Sequence, residues 1–328
     1  MKTFNCGLAK AMVVMVGVLL ISPQGWSGES PAYNPKKKPP SGQKLPAPKK
    51  KVISTQPFFK TMSACDINGD GLIEDVTIPD PTLLKVIKET MGIDARSQIP
   101  VAKAEQLKTI TVKGWPYDCY DNDKLDLSGL ECFPGLIKLT VEQCGLSNLK
   151  PLAGLTNLTL LNLANNNIND LKPLNMLKNL KWLILYANNI SDLTPLAGLK
   201  NLEWLDLNEN NISDLTPLAG LKNLDNLELW KNNINDLTSL AGLTKLQNLY
   251  LSKNNINDLT PLAGLTNLSK LMLQENKISD IEPLLKNSGL GDDDYYTDMV
   301  YLSGNPNIPP SQIEQLKHQG PKGVHVFY

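Results

Sequence analysis

The sequence predicts a repeat solenoid with a parallel β-sheet on its concave face, 3₁₀ turns on its convex face and a small α-helical cap at its N-terminal end. The first observation is an internal repeat of fixed length. Windows of 22 residues follow one another without a gap, beginning at Leu136, Leu158, Leu180, Leu202, Leu224, Leu246 and Leu268. One such window cannot enclose its own apolar side chains, so consecutive windows must stack to form a core.

The other two observations are the leucine spacings inside the window 202–223, which reads LEWLDLNENNISDLTPLAGLKN. The leucines at positions 4 and 6 alternate with other residues, which predicts a strand with one buried face. The leucines at positions 14, 17 and 20 recur every three residues, the spacing of a 3₁₀ turn. We therefore expect a short strand near positions 3–7 and one tight return in every window.

The N-terminal part of the chain is expected to direct export. Lys2 and Lys10, an apolar run at 11–21 and the small residues that follow it predict a signal peptide over residues 1–27. Residues 28–51 are rich in lysine and proline, which predicts a disordered linker. The linker lysines serve either as a solvated spacer or as a contact to an anionic cell surface.

The charge balance argues against a nucleic-acid partner. The whole chain has 32 basic and 33 acidic side chains, but nine of the basic and one of the acidic ones precede residue 52. The remaining 23 basic and 32 acidic side chains give residues 52–328 a negative balance. Such a surface repels phosphate backbones.

Residues 52–106 are predicted to form an N-terminal region with a helical cap. Asp80 and Pro81 mark the start of a helix. The apolar face of this helix is formed by Leu83, Leu84, Val86, Ile87 and Met91. A solenoid needs such a cap because its first coil has no neighbour on one side.

A polar run within this region predicts a calcium site. Oxygen atoms at alternate positions come from Asp66, Asn68, Asp70, the carbonyl of Leu72 and Glu74, a set that suits a hard cation such as Ca²⁺. The run resembles the loops of EF-hand and dockerin-type calcium sites, except that Thr77 stands at the twelfth position, where those loops have an acid. The alternative is a turn region that binds no ion.

Residues 107–328 are predicted to be the solenoid with its C-terminal cap. Positions 1, 4 and 6 of a degenerate first coil are matched by Leu107, Ile110 and Val112. Positions 6 and 9 of a degenerate last coil are matched by Leu302 and Asn305. A short helix at Ser311–His318 and a final strand at Val324–Tyr328 are expected to close the structure.

The cysteines beyond the predicted signal peptide are Cys65, Cys119, Cys132 and Cys144. Export into an oxidising space favours disulfides, and four cysteines allow three full pairings. Our hypothesis is a bond between Cys65 and Cys119, because both lie outside the regular repeat positions.

Two polar columns run through the windows, and both have a structural explanation. Position 9 is asparagine in six windows, at Asn166, Asn188, Asn210, Asn232, Asn254 and Asn276. These side chains are expected to satisfy backbone groups where the strand bends inward. The aspartates at position 13, such as Asp192 and Asp214, are expected to cap the turn that follows.

These windows resemble the repeats of the leucine-rich-repeat family, and their 22-residue form is similar to that of the bacterial internalins. The resemblance covers roughly residues 78–328. It implies a solenoid that recognises a protein partner. Host-cell invasion is not part of this expectation, because the sequence contains no Leu-Pro-x-Thr-Gly sorting motif.

The solvent side of the strands, at positions 3, 5 and 7, is the candidate binding surface. Every tryptophan of the regular windows falls on these positions, although the core is leucine. The predicted partner-binding residues are Leu160, Trp182, Ile184, Tyr186, Trp204, Asp206, Glu228, Trp230 and Tyr250. Two aromatic clusters are expected, Trp182 with Trp204 and Trp230 with Tyr250. Aromatic side chains ringed by charge are typical of interface hot spots.

Catalysis is not expected. His318 and His325 are the only histidines, and the sequence has no glycine-rich phosphate loop, His-Glu-x-x-His or Cys-x-x-Cys motif. The sequence therefore predicts a secreted or cell-envelope protein that binds a protein partner through its concave face, with Ca²⁺ as the one candidate cofactor. The alternative is a carbohydrate-binding or cell-wall-associated structural protein, since exposed tryptophans also stack on sugar rings.

Overall fold

The computed structural model describes residues 65, 72–73, 78–114, 124–292 and 298–328. In this part of the chain, β1 (Leu72–Ile73) and β2 (Ile99–Pro100) form an antiparallel pair. Ten further strands form one sheet in which successive strands are neighbours and every pair runs parallel. They are β3 (Thr109–Lys113), β4 (Lys138–Glu142), β5 (Leu160–Asn162), β6 (Trp182–Ile184), β7 (Trp204–Asp206), β8 (Asn226–Glu228), β9 (Asn248–Tyr250), β10 (Lys270–Met272), β11 (Met299–Tyr301) and β12 (His325–Phe327).

Helical segments cover the ends of the sheet and return the chain between strands. The α-helices of the described residues are α1 (Pro81–Thr90), α2 (Val101–Ala104), α3 (Glu282–Leu285) and α4 (Pro310–Lys317). Positions 15–17 of six windows form 3₁₀ turns: Lys150–Leu152, Lys172–Leu174, Thr194–Leu196, Thr216–Leu218, Thr238–Leu240 and Thr260–Leu262. Proline at the second position of five of these turns fixes φ where no amide donor is needed. The predicted alternation of strand and 3₁₀ return is confirmed.

The leucine core runs between the sheet and the 3₁₀ turns. In the window 202–223, Leu205 and Leu207 of the strand side and Leu218 and Leu221 of the turn side are all 0% exposed. Each buried leucine contributes roughly 1.5–3 kcal/mol relative to an exposed one, so the stack of windows supplies the stability that no single window has.

The backbone ladder between windows continues past the three-residue strands. The N–H of Leu163 donates to the carbonyl of Ile184 at 2.8 Å, and the N–H of Asn165 donates to that of Tyr186 at 2.8 Å. The backbone N–H groups at positions 6 and 8 therefore still donate to the next coil, which confirms a strand segment near positions 3–7.

The asparagine column at position 9 has the structural role predicted for it. The Oδ1 of Asn188 accepts the N–H of Ile168 in the preceding coil at 2.9 Å. Its Nδ2 donates to the carbonyls of Leu163 and Leu185, both at 3.0 Å. One side chain thus satisfies three backbone groups at the bend of the strand.

The turns are capped by aspartates, and a second asparagine column joins neighbouring coils. Asp192 Oδ1 accepts the N–H of Thr194 at 2.8 Å, as the sequence predicted. At position 22, which the sequence analysis did not single out, Asn201 Nδ2 donates to the carbonyl of Lys178 at 2.8 Å. Similar bonds are made by Asn157, Asn179, Asn223 and Asn267.

The N-terminal end of the core is covered by α1, as predicted. Asp80 caps this helix by accepting the N–H groups of Thr82 and Leu83 at 2.9 and 3.0 Å. Leu83 and Ile87 are buried on the predicted apolar face, and the helix packs against β3. The degenerate first coil is also confirmed, since β3 carries the alternating buried residues that were expected.

The predicted disulfide between Cys65 and Cys119 is wrong. Cys65 pairs with Cys132, and their Cα atoms are 5.8 Å apart. Cys132 ends a 3₁₀ turn (Leu130–Cys132) of the first coil, where its buried side chain faces the region that covers the core. The hypothesis failed because it excluded a cysteine that lies on a turn of the first coil. Cys144, in the asparagine column, is also disulfide-bonded.

The C-terminal end is closed by α4 and β12, which begin and end within one residue of the predicted helix and strand. Ile313 and Leu316 of α4 are buried against the last coils. In the described parts of the chain, we find no helix with the length and hydrophobicity needed to span a membrane.

Candidate binding surface on the sheet

The concave face consists of the side chains at positions 3, 5 and 7, on the opposite side of the sheet from the leucine core. Its register places Trp182 of β6 directly beside Trp204 of β7. These side chains are 46% and 40% exposed, whereas Leu183 and Leu205, the next residues on the two strands, are fully buried. The predicted register and the predicted adjacency of the two indoles are therefore correct.

Half-buried apolar side chains surround the two indoles. Leu160 of β5 is the register partner of Trp182, and Ile184 lies two residues further along β6 on the same face. Burial, together with the charge of Glu209 and a hydrogen bond to it, raises the pKa of Tyr186. We call this set the tryptophan cluster; it consists of Leu160, Trp182, Ile184, Tyr186 and Trp204.

Two half-buried carboxylates lie next to the tryptophan cluster. Asp206 of β7 and Glu228 of β8 are register partners. The backbone N–H of Asn208 donates to Asp206 Oδ1 at 3.0 Å, and its Nδ2 donates to Glu228 Oε2 at 2.8 Å. The Oδ1 of Asn208 accepts the backbone N–H of Trp230 at 2.7 Å. Asn208 therefore fixes the two carboxylates relative to each other, and we call them the carboxylate pair.

The surroundings of the carboxylate pair disfavour its ionisation. Burial, and then repulsion from Glu228, raise the pKa of Asp206 to about 7, against the lowering effect of the Asn208 N–H. Burial also raises the pKa of Glu228, opposed by the hydrogen bond from Asn208 and by the positive charge of Lys270. Near neutral pH, Asp206 is therefore close to half-protonated.

Trp230 is less accessible than the sequence predicted. It is half-buried, and two lysine ammonium groups lie over its ring, Lys231 at 5.8 Å and Lys253 at 5.5 Å from the centroid. These lysines pair with Glu209 at 2.6 Å and with Glu275 at 3.5 Å. Trp230 is thus part of an internal network of charges, and its indole already has partners.

A row of three aromatic side chains and one methionine extends the face toward the C-terminus, and the sequence analysis singled out only its first member, Tyr250. Register aligns Tyr250, Met272, Tyr301 and Phe327 across β9 to β12. The rings of Tyr301 and Phe327 stack with centroids 4.4 Å apart and planes 7° apart. Lys270 Nζ lies 5.3 Å from the centroid of Tyr250. We call these four residues the C-terminal row. All four residues occupy position 5 of their coils. This shared position can be recognised in the sequence only when the windows are aligned with a gap for the inserted residues near 291–297.

Three side chains that were expected to face solvent are buried instead. Ala164 is 3% exposed, and Asn226 and Ser252 are each 7% exposed. Asn226 is flanked in register by Asn248 and by the much larger Trp204. The Oδ1 of Asn226 is buried without a hydrogen-bond partner.

Comparisons with known proteins agree with this geometry. The family model of leucine-rich repeats in two copies matches residues 178–220, 200–243 and 244–286. Internalin C2 of Listeria monocytogenes is 35% identical in sequence, with a TM-score of 0.63; the match covers 70% of this chain and 96% of that one. This chain belongs to the internalin-like leucine-rich-repeat family.

Similarity to a second solved structure supports the fold alone. A leucine-rich-repeat protein of Leptospira interrogans is similar in fold, with a TM-score of 0.55 and 23% identity, over 70% of this chain and 63% of that one. A comparison with curated protein sequences gave no match.

The predicted calcium ligands lie mostly outside the described residues of this internalin-like chain. The structure does not describe four of the predicted ligands, Asp66, Asn68, Asp70 and Glu74. Cys119 of the rejected disulfide also lies outside the described residues. Leu72 is described and lies in β1, where it pairs with Pro100. Among the described residues, no group of three or more His, Cys, Asp or Glu side chains is arranged to hold a metal ion.

Proposed function

We propose that this protein is exported and binds a protein partner through its concave face. The observation that carries the proposal is the pair of adjacent, exposed indoles of Trp182 and Trp204 on a rigid parallel sheet. The core is complete without them, since the residue that follows each tryptophan on its strand, Leu183 or Leu205, is a leucine with no exposure. Large aromatic side chains held on a rigid surface are the typical anchors of protein interfaces.

Two features support export. The sequence predicts a signal peptide over residues 1–27. The bond between Cys65 and Cys132 ties the N-terminal region to the first coil, and disulfides of this kind persist in oxidising compartments. The same bond closes a long loop of 67 residues, which limits the freedom of the unfolded chain.

A capture experiment tests the binding proposal. Immobilised chain from residue 28 onward is exposed to surface proteins of cells, and in parallel to a glycan array. We expect proteins that bind the wild type and are lost from the variant Trp182→Ala/Trp204→Ala. Met176→Ala is the matched control, because Met176 is 58% exposed on the convex side. Proteins captured equally by the double variant would contradict the proposal. Glycans lost from that variant would favour the carbohydrate-binding alternative.

We also propose that residues 66–74 bind Ca²⁺, as their alternating oxygen ligands suggest. A ligand that binds only the folded state raises the melting temperature. We expect millimolar Ca²⁺ to raise the melting temperature of the wild type, and to have little effect on Asp70→Ala. Equal shifts in the two proteins, or no shift, would leave these residues as a turn without an ion.

A further inference from the structure

Among the described residues, the carboxylate pair forms no ion pair, unlike several glutamates around it. Glu203 pairs with Lys181 at 2.7 Å, and Glu209 pairs with Lys231 at 2.6 Å. Among the described residues, no basic side chain lies within ion-pair distance of Asp206 or Glu228. Ion pairs therefore neutralise these two glutamates, whereas Lys270, the cation that acts on the carboxylate pair, lies beyond ion-pair distance.

The charged and titratable groups around the pair do not compensate for it. Tyr186 and Glu209 lie on the side of β6 and β7, and Tyr250 lies on β9, in register with Glu228. Lys270 of β10 acts on Glu228 from a distance, but its ammonium group lies over the ring of Tyr250. An added cation would meet two acids that Asn208 already holds in place.

An amide oxygen on the same face lacks a hydrogen-bond donor. Asn226 lies on β8 two residues before Glu228, so both side chains lie on the same side of the sheet. The Oδ1 of Asn226 is buried and has no hydrogen-bond partner. A buried acceptor without a partner costs free energy, and this face supplies no hydrogen-bond donor to Asn226 Oδ1. Lysine and arginine side chains offer three and about five such donors.

We propose that the centre of the concave face receives a lysine or arginine side chain of the protein partner, which docks between Asp206 and Glu228. This inference rests on the proposed function. Apolar side chains on either side of that basic residue would contact the tryptophan cluster and the C-terminal row. A divalent metal is a poorer fit, since two carboxylates supply few of the six to eight oxygen ligands that Ca²⁺ takes.

The raised pKa of Asp206 agrees with an acid pair that lacks its cation. A docked ammonium or guanidinium group favours the ionised form, so binding would lower the pKa of Asp206. Affinity for the basic partner would then increase as the pH rises from about 6 to about 8, because free Asp206 loses its proton over this range.

A peptide selection tests the inference and requires no identified partner. A phage-displayed library of random dodecapeptides is selected on the wild-type chain, and the enriched peptides are counter-screened on two variants. Asp206→Asn/Glu228→Gln removes the charges but keeps the side-chain shapes. Trp182→Ala/Trp204→Ala removes the aromatic anchors. Thermal melts check that both variants are folded.

We expect enriched peptides with a lysine or arginine flanked by apolar residues. Their affinity should fall by roughly thirtyfold on Asp206→Asn/Glu228→Gln, as is typical when one side of a buried charge pair is removed. Replacing the peptide's lysine with norleucine, or its arginine with citrulline, should cause a similar loss on the wild type. The same replacement should cause almost no further loss on the carboxylate variant, because the two changes remove one interaction.

The outcomes separate this inference from the proposed function. Peptides that need Trp182 and Trp204 but carry no basic residue, or bind the carboxylate variant equally well, would overturn the cation site and leave the concave-face interface standing. If no enriched peptide depends on Trp182 and Trp204, both ideas fail. Binding that is lost on addition of EDTA would also overturn the inference, in favour of a metal ion.

Discussion

The two tryptophan-bearing parts of the concave face are built differently. In the tryptophan cluster, the indoles of Trp182 and Trp204 lie side by side, and among the described residues neither has a cation above its ring. Further along the sheet, Trp230 lies beneath Lys231 and Lys253, both of which pair with glutamates. In the first region the indoles are exposed, whereas in the second the indole already contacts two lysines.

This difference shows that position in the repeat is not sufficient to identify a binding residue. Trp182, Trp204 and Trp230 all lie on the solvent side of the strands. Only Trp230 is followed by lysines at position 8 of its own window and the next, where they reach its ring. We therefore expect the two regions to respond differently to mutation.

The largest effect on stability should come from the core beneath the face. Leu205→Ala removes a side chain with no exposure, one residue after Trp204 on β7. We expect a loss of about 2–5 kcal/mol in the free energy of unfolding, because the stacked coils cannot collapse into the cavity. Chemical denaturation measures this loss. A cost below about 1 kcal/mol, as for an ordinary surface change, would mean that the register of the strand is wrong.

The exposed indoles should show the reverse pattern. Trp182→Ala/Trp204→Ala should change the free energy of unfolding by no more than about 0.5 kcal/mol. Its affinity for a concave-face ligand should fall roughly thirtyfold or more, since a hot-spot aromatic contributes about 2 kcal/mol.

Trp230→Ala is the matched variant for the second region, to be compared with Trp182→Ala/Trp204→Ala. It breaks two cation–π contacts, each worth about 0.5–1 kcal/mol at exposed sites, so we expect it to lower stability by about 1–2 kcal/mol and to affect binding less. Paired melts and binding curves measure both quantities. A larger loss of stability in Trp182→Ala/Trp204→Ala than in Trp230→Ala would contradict the proposed difference between the two regions.

The carboxylate pair lies between the two regions, and its effect should depend on pH. The pKa of Asp206 is raised from its ordinary value of 3.8 to about 7 in the folded chain. The folded state thus holds this proton when the unfolded state has released it, and stability falls as the pH rises from about 4 to about 7. Asp206→Asn does not titrate, so it should gain about 3 kcal/mol relative to the wild type over this range.

Asp214→Asn provides a control of opposite sign. Hydrogen bonds from Thr216 lower the pKa of Asp214, so this carboxylate stabilises the fold above its unfolded pKa and loses that effect as the pH falls. Chemical denaturation of the wild type and both variants from about pH 2 to about pH 8 measures the two dependences, because the effect of Asp214 is lost below its ordinary pKa of 3.8. Parallel curves for the wild type and Asp206→Asn would show that Asp206 has an ordinary pKa.

Much of the fold could be predicted because the leucine pattern repeats with an unbroken period. That period fixes the register, so the adjacency of Trp182 and Trp204 follows from the sequence alone. The enclosure of Trp230 did not follow, because it depends on lysines from two separate windows whose side chains must bend back onto the ring.

The irregular ends were harder to predict for a different reason. Inserted residues near 291–297 hide the alignment of Tyr301 with Met272, so Tyr301 and Phe327 were missed. The partner of Cys65 depends on how the N-terminal region folds over the first coil, and no repeat constrains that contact. The burial of Asn226 also depends on the size of its neighbours rather than on its position.

The smallest effect concerns the backbone at position 8, which differs little between the two regions. Ala187, Lys231 and Lys253 have φ values of 51°, 56° and 57°, in the left-handed region that costs a non-glycine residue about 1–2 kcal/mol. Ala187→Gly should relieve this strain, and after the extra entropy of the unfolded glycine it should stabilise the fold by about 0.5–1 kcal/mol. Lys253→Gly relieves the same strain but loses the contact with Trp230 and the pair with Glu275, so we expect little or no gain. Thermal melts of the two variants compare these effects directly. Equal gains would show that the lysine does not help to hold Trp230, and the contrast between the two regions would then rest on burial alone.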